Sequence, residues 1–299
     1  MMSLDVTIII VNYNTTKLTK DAITSIYQFT KENSFEIILV DNCSTDKSIL
    51  EIKHEYPGII FIESQGNIGF GRANNLGIAK AKGKYVFLLN SDAYLLEDSV
   101  AQFYKFMEAS ENKEIWCVGG ELLDINLKPN EAYGNFPSLF QTISSLGFGI
   151  FYKNFYKEHL AVGIINQSTE IREVDFICGA DMFMRADLVR EIDGFDPDFF
   201  MYFEETELSY RMKSKGYKSY ILPNVKIVHL AGQSSKVKSN VNLRKELLFA
   251  KSRSIYFKKT QGLIISKIVD ILCAIKSLGL MVIKRDFNYL KLSFHVFFL

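Results

Sequence analysis

Four short apolar runs, rich in β-branched residues, recur in the first third of this 299-residue chain, and each is followed closely by polar side chains. They are residues 6–11 before Asn12, 36–40 before Asp41, 59–62 before a turn holding Asn67, and 85–89 before Asn90 and Asp92. Runs this short with no polar alternation read as strands covered on both faces. Helical spacing fills the gaps: residues 16–29, a helix that Thr45 or Asp46 can cap, and one that opens at the glycine-rich turn 66–71 and runs through Ala81. Strand and helix alternating at intervals of roughly 25 residues predict a parallel α/β sheet. Ligands of such sheets gather at the carboxyl ends of the strands, where Asn12, Asp41, Asn67 and Asp92 all fall.

The later chain is less regular. Residues 122–173 are aromatic and loop-rich, residues 174–177 read as a further strand, and 194–197 as a turn. Residues 199–203 form an apolar lead into Glu204, Glu205 and Glu207, which open a helix through Lys215. Residues 225–228 read as a strand ending at His229, and no internal repeat or low-complexity segment occurs.

With 48% hydrophobic and 23% charged residues, the chain can bury one large core, or one core plus a small appendage. Its net charge of +1 hides an asymmetry: residues 235–299 hold 13 Lys and Arg against 3 Asp and Glu, and the remainder holds 22 against 31. A basic tail on an acidic body suggests a polyanionic surface. Cys43, Cys117, Cys178 and Cys273 form no CxxC pair, which argues against a zinc site or a disulfide framework and fits a reducing cytosol. Residues 6–11 are too short for the apolar core of a signal peptide, so none is expected.

Three features carry chemistry, and each has a plainer reading beside it. Asp92 at a strand end suits a hard divalent cation, or merely caps a turn. The carboxylates of Glu204, Glu205 and Glu207 crowd one turn; they either complement a helix dipole or, behind the aromatic lead-in, place a desolvated base at a cleft wall. His229 closes a strand, and a lone histidine is more often structural. The GNIGFG turn at 66–71 is neither a dinucleotide fingerprint nor a P-loop.

Taken together in order, the motifs are specific. VNYN at 11–14, VDNCSTD at 40–46, NIGFGRANN at 67–75 and LLNSD at 88–92 resemble the nucleotide half of a family 2 glycosyltransferase. CGADMFMR at 178–185, GFDPDFFMYFEETELSYR at 194–211 and HLAGQSS at 229–235 are similar to its acceptor half, and the nearest subgroup is the rhamnosyltransferase-like enzymes of bacterial surface polysaccharide synthesis. The resemblance implies a GT-A fold at 1–235, with a nucleotide-sugar half at 1–120 and an acceptor half at 121–235, followed by a basic helical tail at 236–299. It implies an inverting transfer of a sugar from a nucleoside diphosphate, dTDP-rhamnose or a UDP-sugar, to a glycan or lipid-linked glycan. Asn12, Tyr13, Asn14, Asp41, Asn67, Asn75 and Asn90 would serve the nucleotide. Asp92 and His229 would hold Mn²⁺ or Mg²⁺, and Glu205, with Glu204 as the alternative, would be the base. The family usually has Asp at positions 205 and 207, and an acidic residue at 90. A non-catalytic sugar-nucleotide-binding scaffold is the alternative, whereas the N-terminal loop expected of a sugar nucleotidyltransferase is missing.

In the tail, charges at Lys267, Asp270 and Lys276 argue against a spanning helix. At 100° per residue Ser266, Lys267, Asp270, Ala274, Ser277 and Lys284 share one face, and Ile264, Ile268, Ile271, Leu272, Ile275 and Val282 the other, with Lys276 near the edge. Such a helix either packs on protein, on this chain or on a second copy in a homo-oligomer, or attaches to an anionic membrane at its cytoplasmic face. No nucleic-acid partner is expected.

Overall fold

Each of the four N-terminal apolar runs is a strand in the computed structural model, which describes residues 4–46, 48–166, 168–230 and 242–299. The elements of the first half are β1 (Val6–Asn12), α1 (Thr16–Phe29), β2 (Phe35–Asp41), α2 (Ile49–Glu55), β3 (Ile60–Glu63), α3 (Phe70–Ile78), β4 (Tyr85–Leu89), β5 (Ala93–Leu95), α4 (Ser99–Glu108), β6 (Ile115–Leu123) and β7 (Glu131–Gly134). Then follow α5 (Leu139–Ser144), α6 (Lys153–His159), β8 (Ile164–Ile165), β9 (Arg172–Val174), β10 (Phe176–Ile177), β11 (Asp181–Arg185), α7 (Ala186–Glu191), α8 (Glu204–Ser214) and β12 (Lys218–His229). The chain closes with α9 (Leu243–Thr260), α10 (Leu263–Lys284) and α11 (Asn288–Phe297).

The main sheet has the order β3-β2-β1-β4-β11-β6-β12-β5, with β9 also on β12. The pairs among β1 to β4 are parallel, as the alternation predicts. The second half is mixed: β11 runs antiparallel to both β4 and β6, and β12 is parallel to β6 but antiparallel to β5 and β9. A small antiparallel sheet, β10-β7-β8, stands beside it. Apolar side chains of β1, β2, β4, β6 and β11 form one core with α1, α3 and α4.

Several expectations need correction. Residues 174–177 are not one strand: Val174 pairs with β12 and Phe176 with β7, so the chain changes sheets at Asp175. The Asp175 carboxylate takes hydrogen bonds from the Phe136 amide and Lys213 Nζ at this break. The third helix stops at Ile78 rather than Ala81. The sequence reading also passed over β6, whose Gly119 and Gly120 look like a turn. There, glycine serves close approach instead, since a Cβ at 119 would crowd Ile177 and one at 120 the Val225 carbonyl.

The tail packs on the sheet-bearing body. Phe199, Phe203, Tyr256, Phe257 and Val269 form a second cluster joining α9 and α10 to the 199–203 loop. Helix α10 is inside out: Ser266, Val269, Asp270, Ala274 and Ser277 are buried, whereas Ile264 and Val282 are 76% and 70% exposed and Ile268, Ile271 and Ile275 share that exposed stripe. The buried polar face is bonded. Ser254 Oγ donates to Asp270 Oδ2 at 2.7 Å, Arg253 lies 3.4 Å from Asp270 Oδ1, and Ser293 Oγ donates to the Ala274 carbonyl at 2.9 Å. Lys267 and Lys284 stay exposed. Among the described residues no helix is long and apolar enough to cross a membrane.

One buried acid at the centre of the sheet yields a pH prediction. Asp181 is fully buried, accepts a 2.6 Å bond from the Gly120 amide through Oδ2, and has no partner for Oδ1 among the described residues. Burial therefore raises its carboxyl well above the usual 3.8. An acid with a raised folded-state pKa stabilises fully below its unfolded pKa, and that contribution is lost as pH rises from there through the folded pKa. Asp181→Asn keeps an oxygen for Gly120 and removes the ionisation. It should raise the thermal midpoint at pH 8 and flatten the loss of stability between pH 5 and 8, read by calorimetry across pH; an unchanged profile would refute the assignment.

Candidate active site

The carboxyl ends of β1 and β2 are tied into one polar knot. Asn12 is fully buried; its Nδ2 donates to Asp41 Oδ1 and to Ser44 Oγ, both at 2.9 Å, and its Oδ1 accepts from the hydroxyls of Thr15 (3.0 Å) and Thr19 (2.8 Å). Asp41 also accepts from the Ser44 amide and hydroxyl. Asn14, at φ +56, accepts from the Thr45 and Asp46 amides, so the loops after β1 and β2 are laced together. Tyr13, between these anchors, is 43% exposed and stands at the edge of the knot. The third loop joins through Asn67, whose Oδ1 accepts from Asn42 Nδ2 at 3.1 Å and from the Gly69 amide. Asn75 lies elsewhere: its amide clamps both main-chain groups of Phe195, 120 residues away.

Asp92 and His229 meet because β5 pairs with β12 in the register Ala93↔His229. The Leu230 amide donates to the Asp92 carbonyl, locking that register, and Asp92 Oδ1 lies 3.3 Å from His229 Nε2 with both side chains largely buried. Asn90 Nδ2 lies 3.5 Å from the same ring nitrogen. The pair offers one carboxylate oxygen and one imidazole nitrogen at a single point, two of the donors that a divalent cation takes. No group of three ligating side chains occurs among the described residues, and the HLAGQSS motif beyond Leu230 lies outside them.

The glutamates are set by an unusual backbone. Tyr202 (φ +71) and Phe203 (φ +67) are consecutive left-handed residues, and α8 starts at the next position. Three contacts hold this loop. The Phe70 amide at the start of α3 donates to the Phe200 carbonyl; Ser252 Oγ of α9 donates to the Met201 carbonyl; and Phe249 packs on Tyr202 and Phe203 with centroids 5.6 and 5.1 Å away. Gly69 (φ +90) is required, because any Cβ there would collide with Phe200.

The acids downstream then separate by environment. Glu207 receives both carboxylate bonds from Arg211 Nε, and Arg211 also donates to the carbonyls of Ile192 and Gly194, so this pair is structural. Arg185 is structural too, with its guanidinium spent on the carbonyls of Met107, Asn112 and Ile115. Glu204 is buried beside Gly71 of α3, and its Oε2 has no partner among the described residues. Burial, and then the charge of Glu205, push its carboxyl well above the usual glutamate value. Glu205 is half-buried and also raised, by burial.

Glu205 lines an open cavity of about 320 Å³ with Tyr133, Phe176, Tyr202, Phe203 and Phe249. Its Cβ lies 4.0 Å from where a side chain at Gly179 would start. Gly179 leads to Ala180, whose carbonyl accepts from the Asn90 amide, two residues before Asp92. Cys178 beside it is no nucleophile, because burial and Glu205 push its thiol up to about 12. Sequence reasoning missed Ser44, Asn42, Tyr133 and Phe249. Ser44 and Asn42 sit inside a motif it had singled out, whereas nothing local marks Phe249 on its helix.

Residues 7–140 match the model of glycosyl transferase family 2. The chain is 27% identical over 219 residues to rhamnosyltransferase WbbL of Escherichia coli K12, covering 69% of this chain and 76% of that protein. It is 23% identical over 216 residues to an N-acetylglucosaminyl-diphospho-decaprenol L-rhamnosyltransferase of Mycobacterium tuberculosis, covering 68% and 69%. The fold is shared with a crystal structure of GalNAc-T7 with UDP, GalNAc and Mn²⁺, at a TM-score of 0.61 and 15% identity over 90% of this chain and 55% of that one.

The polar knot separates scaffold from surface. Asn12→Ala should cost about 2–3 kcal/mol, because it strips buried partners from Asp41, Ser44, Thr15 and Thr19. Tyr13→Ala should stay within about 0.5 kcal/mol of the parent. Urea unfolding of both variants measures the contrast, and equal losses would refute it.

Proposed function

Because this chain is a rhamnosyltransferase-like glycosyltransferase of family 2 with the GT-A fold, we propose that it transfers a sugar with inversion, from dTDP-rhamnose or a UDP-sugar to a hydroxyl of a lipid-linked glycan, at the cytoplasmic face of a membrane. The observation that carries this reading is a carboxylate of raised basicity, Glu205, at the wall of an aromatic cavity and one strand end away from the Asp92–His229 pair.

The domain assignment follows: a nucleotide half at 1–120, an acceptor half at 121–235 and a helical tail at 236–299. Tyr13 stacks on the base, and Asp41, Asn14, Asn67 and Asn90 shape the nucleotide pocket. The knot around Asn12 holds its walls, and Asn75 acts at a distance from it, on Phe195. The diphosphate lies against Asp92 and His229. When bound there, Mn²⁺ or Mg²⁺ supplies positive charge that stabilises the departing diphosphate; the Mn²⁺ of GalNAc-T7 supports this choice of chemistry.

The acceptor enters the Glu205 cavity. Its oxygen bonds to the anomeric carbon as the carbon–phosphate-oxygen bond breaks on the opposite face, and the hydroxyl proton passes to Glu205. Glu204 is the more deeply buried and has no counter-ion among the described residues, so burial disfavours its charged form more than that of Glu205. Glu205→Gln should therefore lower kcat by about 10²–10⁴. Glu204→Gln mimics the protonated neighbour and should change kcat less than about fivefold. The rate should rise with pH through a pKa above the usual 4.5 of glutamate. Transfer assays across pH decide this; full activity in Glu205→Gln overturns the base assignment, and binding of every donor without turnover favours a scaffold.

The exposed isoleucine stripe of α10, flanked by Lys267, Lys276, Lys284 and Arg285, supports apposition to an anionic bilayer. Sedimentation with phosphatidylglycerol vesicles should carry down the parent protein but not Ile271→Asp/Ile275→Asp, and no binding by the parent would end the membrane reading.

A further inference from the structure

A second cavity, of about 450 Å³, lies under the tail helices and is not used by the reaction as described. It is walled by α5, α9, α10 and α11, and shares Val162, Phe203 and Phe249 with the Glu205 cavity. The two spaces are therefore neighbours, divided by two aromatic side chains and a valine. The walls are mixed. Phe257, Leu280, Leu292 and Val296 are apolar, and the charged lining groups are Arg253, Lys276 and Glu246.

Each cation keeps further donors. Arg253 is 14% exposed; among the described residues its ion pair is the long 3.4 Å contact with Asp270, and its Nε is buried with no partner. A guanidinium held that way retains donors for an anion. Lys276, at the rim, donates to Ser145 Oγ at 3.2 Å and so bridges α10 to the end of α5. Phe148, Ile150 and Phe151, which follow Ser145 closely in the chain, are all more than half exposed, as is much of the α10 stripe. One space thus offers cationic donors, apolar walls, an apolar surround and a shared wall with the acceptor cavity. Glu246 is the one carboxylate among these lining residues, and Asp270 lies behind Arg253.

We infer that this cavity binds the phosphate ester of a long aliphatic alcohol, with the phosphate at Arg253 and Lys276 and the hydrocarbon against Phe257, Leu280, Leu292 and Val296. This rests on the proposed lipid-linked acceptor and deepens it: the lipid-phosphate end occupies the tail cavity while the glycan end reaches Glu205 past Phe203 and Phe249. The tail helices are then part of the acceptor site as well as a surface for the bilayer.

The test is direct binding of decyl phosphate below its micellar concentration, by equilibrium dialysis with the full chain in EDTA, which silences phosphate capture by metal at Asp92. Decanol and inorganic phosphate form the other arms and should each bind at least about tenfold more weakly than decyl phosphate, since each lacks one half of the recognition. Leu280→Trp, which fills the cavity, and Lys276→Glu, an exposed charge reversal that spares the fold, should each weaken decyl phosphate by about tenfold or more. Asp92→Ala and the outward-facing Ile271→Ser should bind as the parent does. Decyl phosphate held no more tightly than decanol, or unaffected by Leu280→Trp and Lys276→Glu, overturns the inference. Binding without transfer to any glycan would instead overturn the acceptor reading and leave the cavity assigned, so the two failures are distinguishable.

Discussion

The structure depends on how the loop from Phe199 to Phe203 is held. Two consecutive non-glycine residues in the left-handed region cost about 1–3 kcal/mol each and persist only where their surroundings over-determine them. Two distant parts of the chain do so here: the start of α3 through the Phe70–Phe200 bond, and α9 through Ser252 and the Phe249 and Tyr256 rings against Phe203. The outcome is that α8 begins with its glutamates already aimed. Helices α3, α8 and α9 therefore share one strained turn.

Four acids show how differently a carboxylate can be managed in one fold. Glu207 is neutralised by Arg211, and that arginine is itself anchored on two carbonyls. Asp181 has a single amide donor, and burial raises its carboxyl well above the usual value. Glu204 and Glu205 have no counter-ion among the described residues and stand side by side, so burial and mutual repulsion allow one of them to ionise before the other. A pair divided in this way is what general-base chemistry near neutral pH requires.

The tail inverts the usual rule for an amphipathic helix. In α10 the serines and Asp270 face inward because α9 and α11 present Ser254, Arg253 and Ser293 to meet them. The isoleucines are left outside, and an apolar stripe on a globular surface marks an interaction site. Helical periodicity identifies two faces but not which is covered, because that depends on what the neighbouring helices offer.

Much of the framework was legible without coordinates. The boundaries of α1 and β4 follow from the pattern alone, since a β-branched run and a 3.6-residue repeat are local signals. The carboxylate-rich turn and the polar strand ends were legible for the same reason. The break at Asp175, strand β6 with its paired glycines, and the clamp of Asn75 on Phe195 were not, because each is set by a partner far along the chain. Chain chemistry by itself determined which groups could carry a proton or a charge. Tertiary structure alone decided that Asp92 meets His229 through strand register, that Arg211 and Arg185 are spent on the fold, and that Glu204 and Glu205 are buried side by side, because burial and pairing belong to the packed molecule and not to the order of its residues.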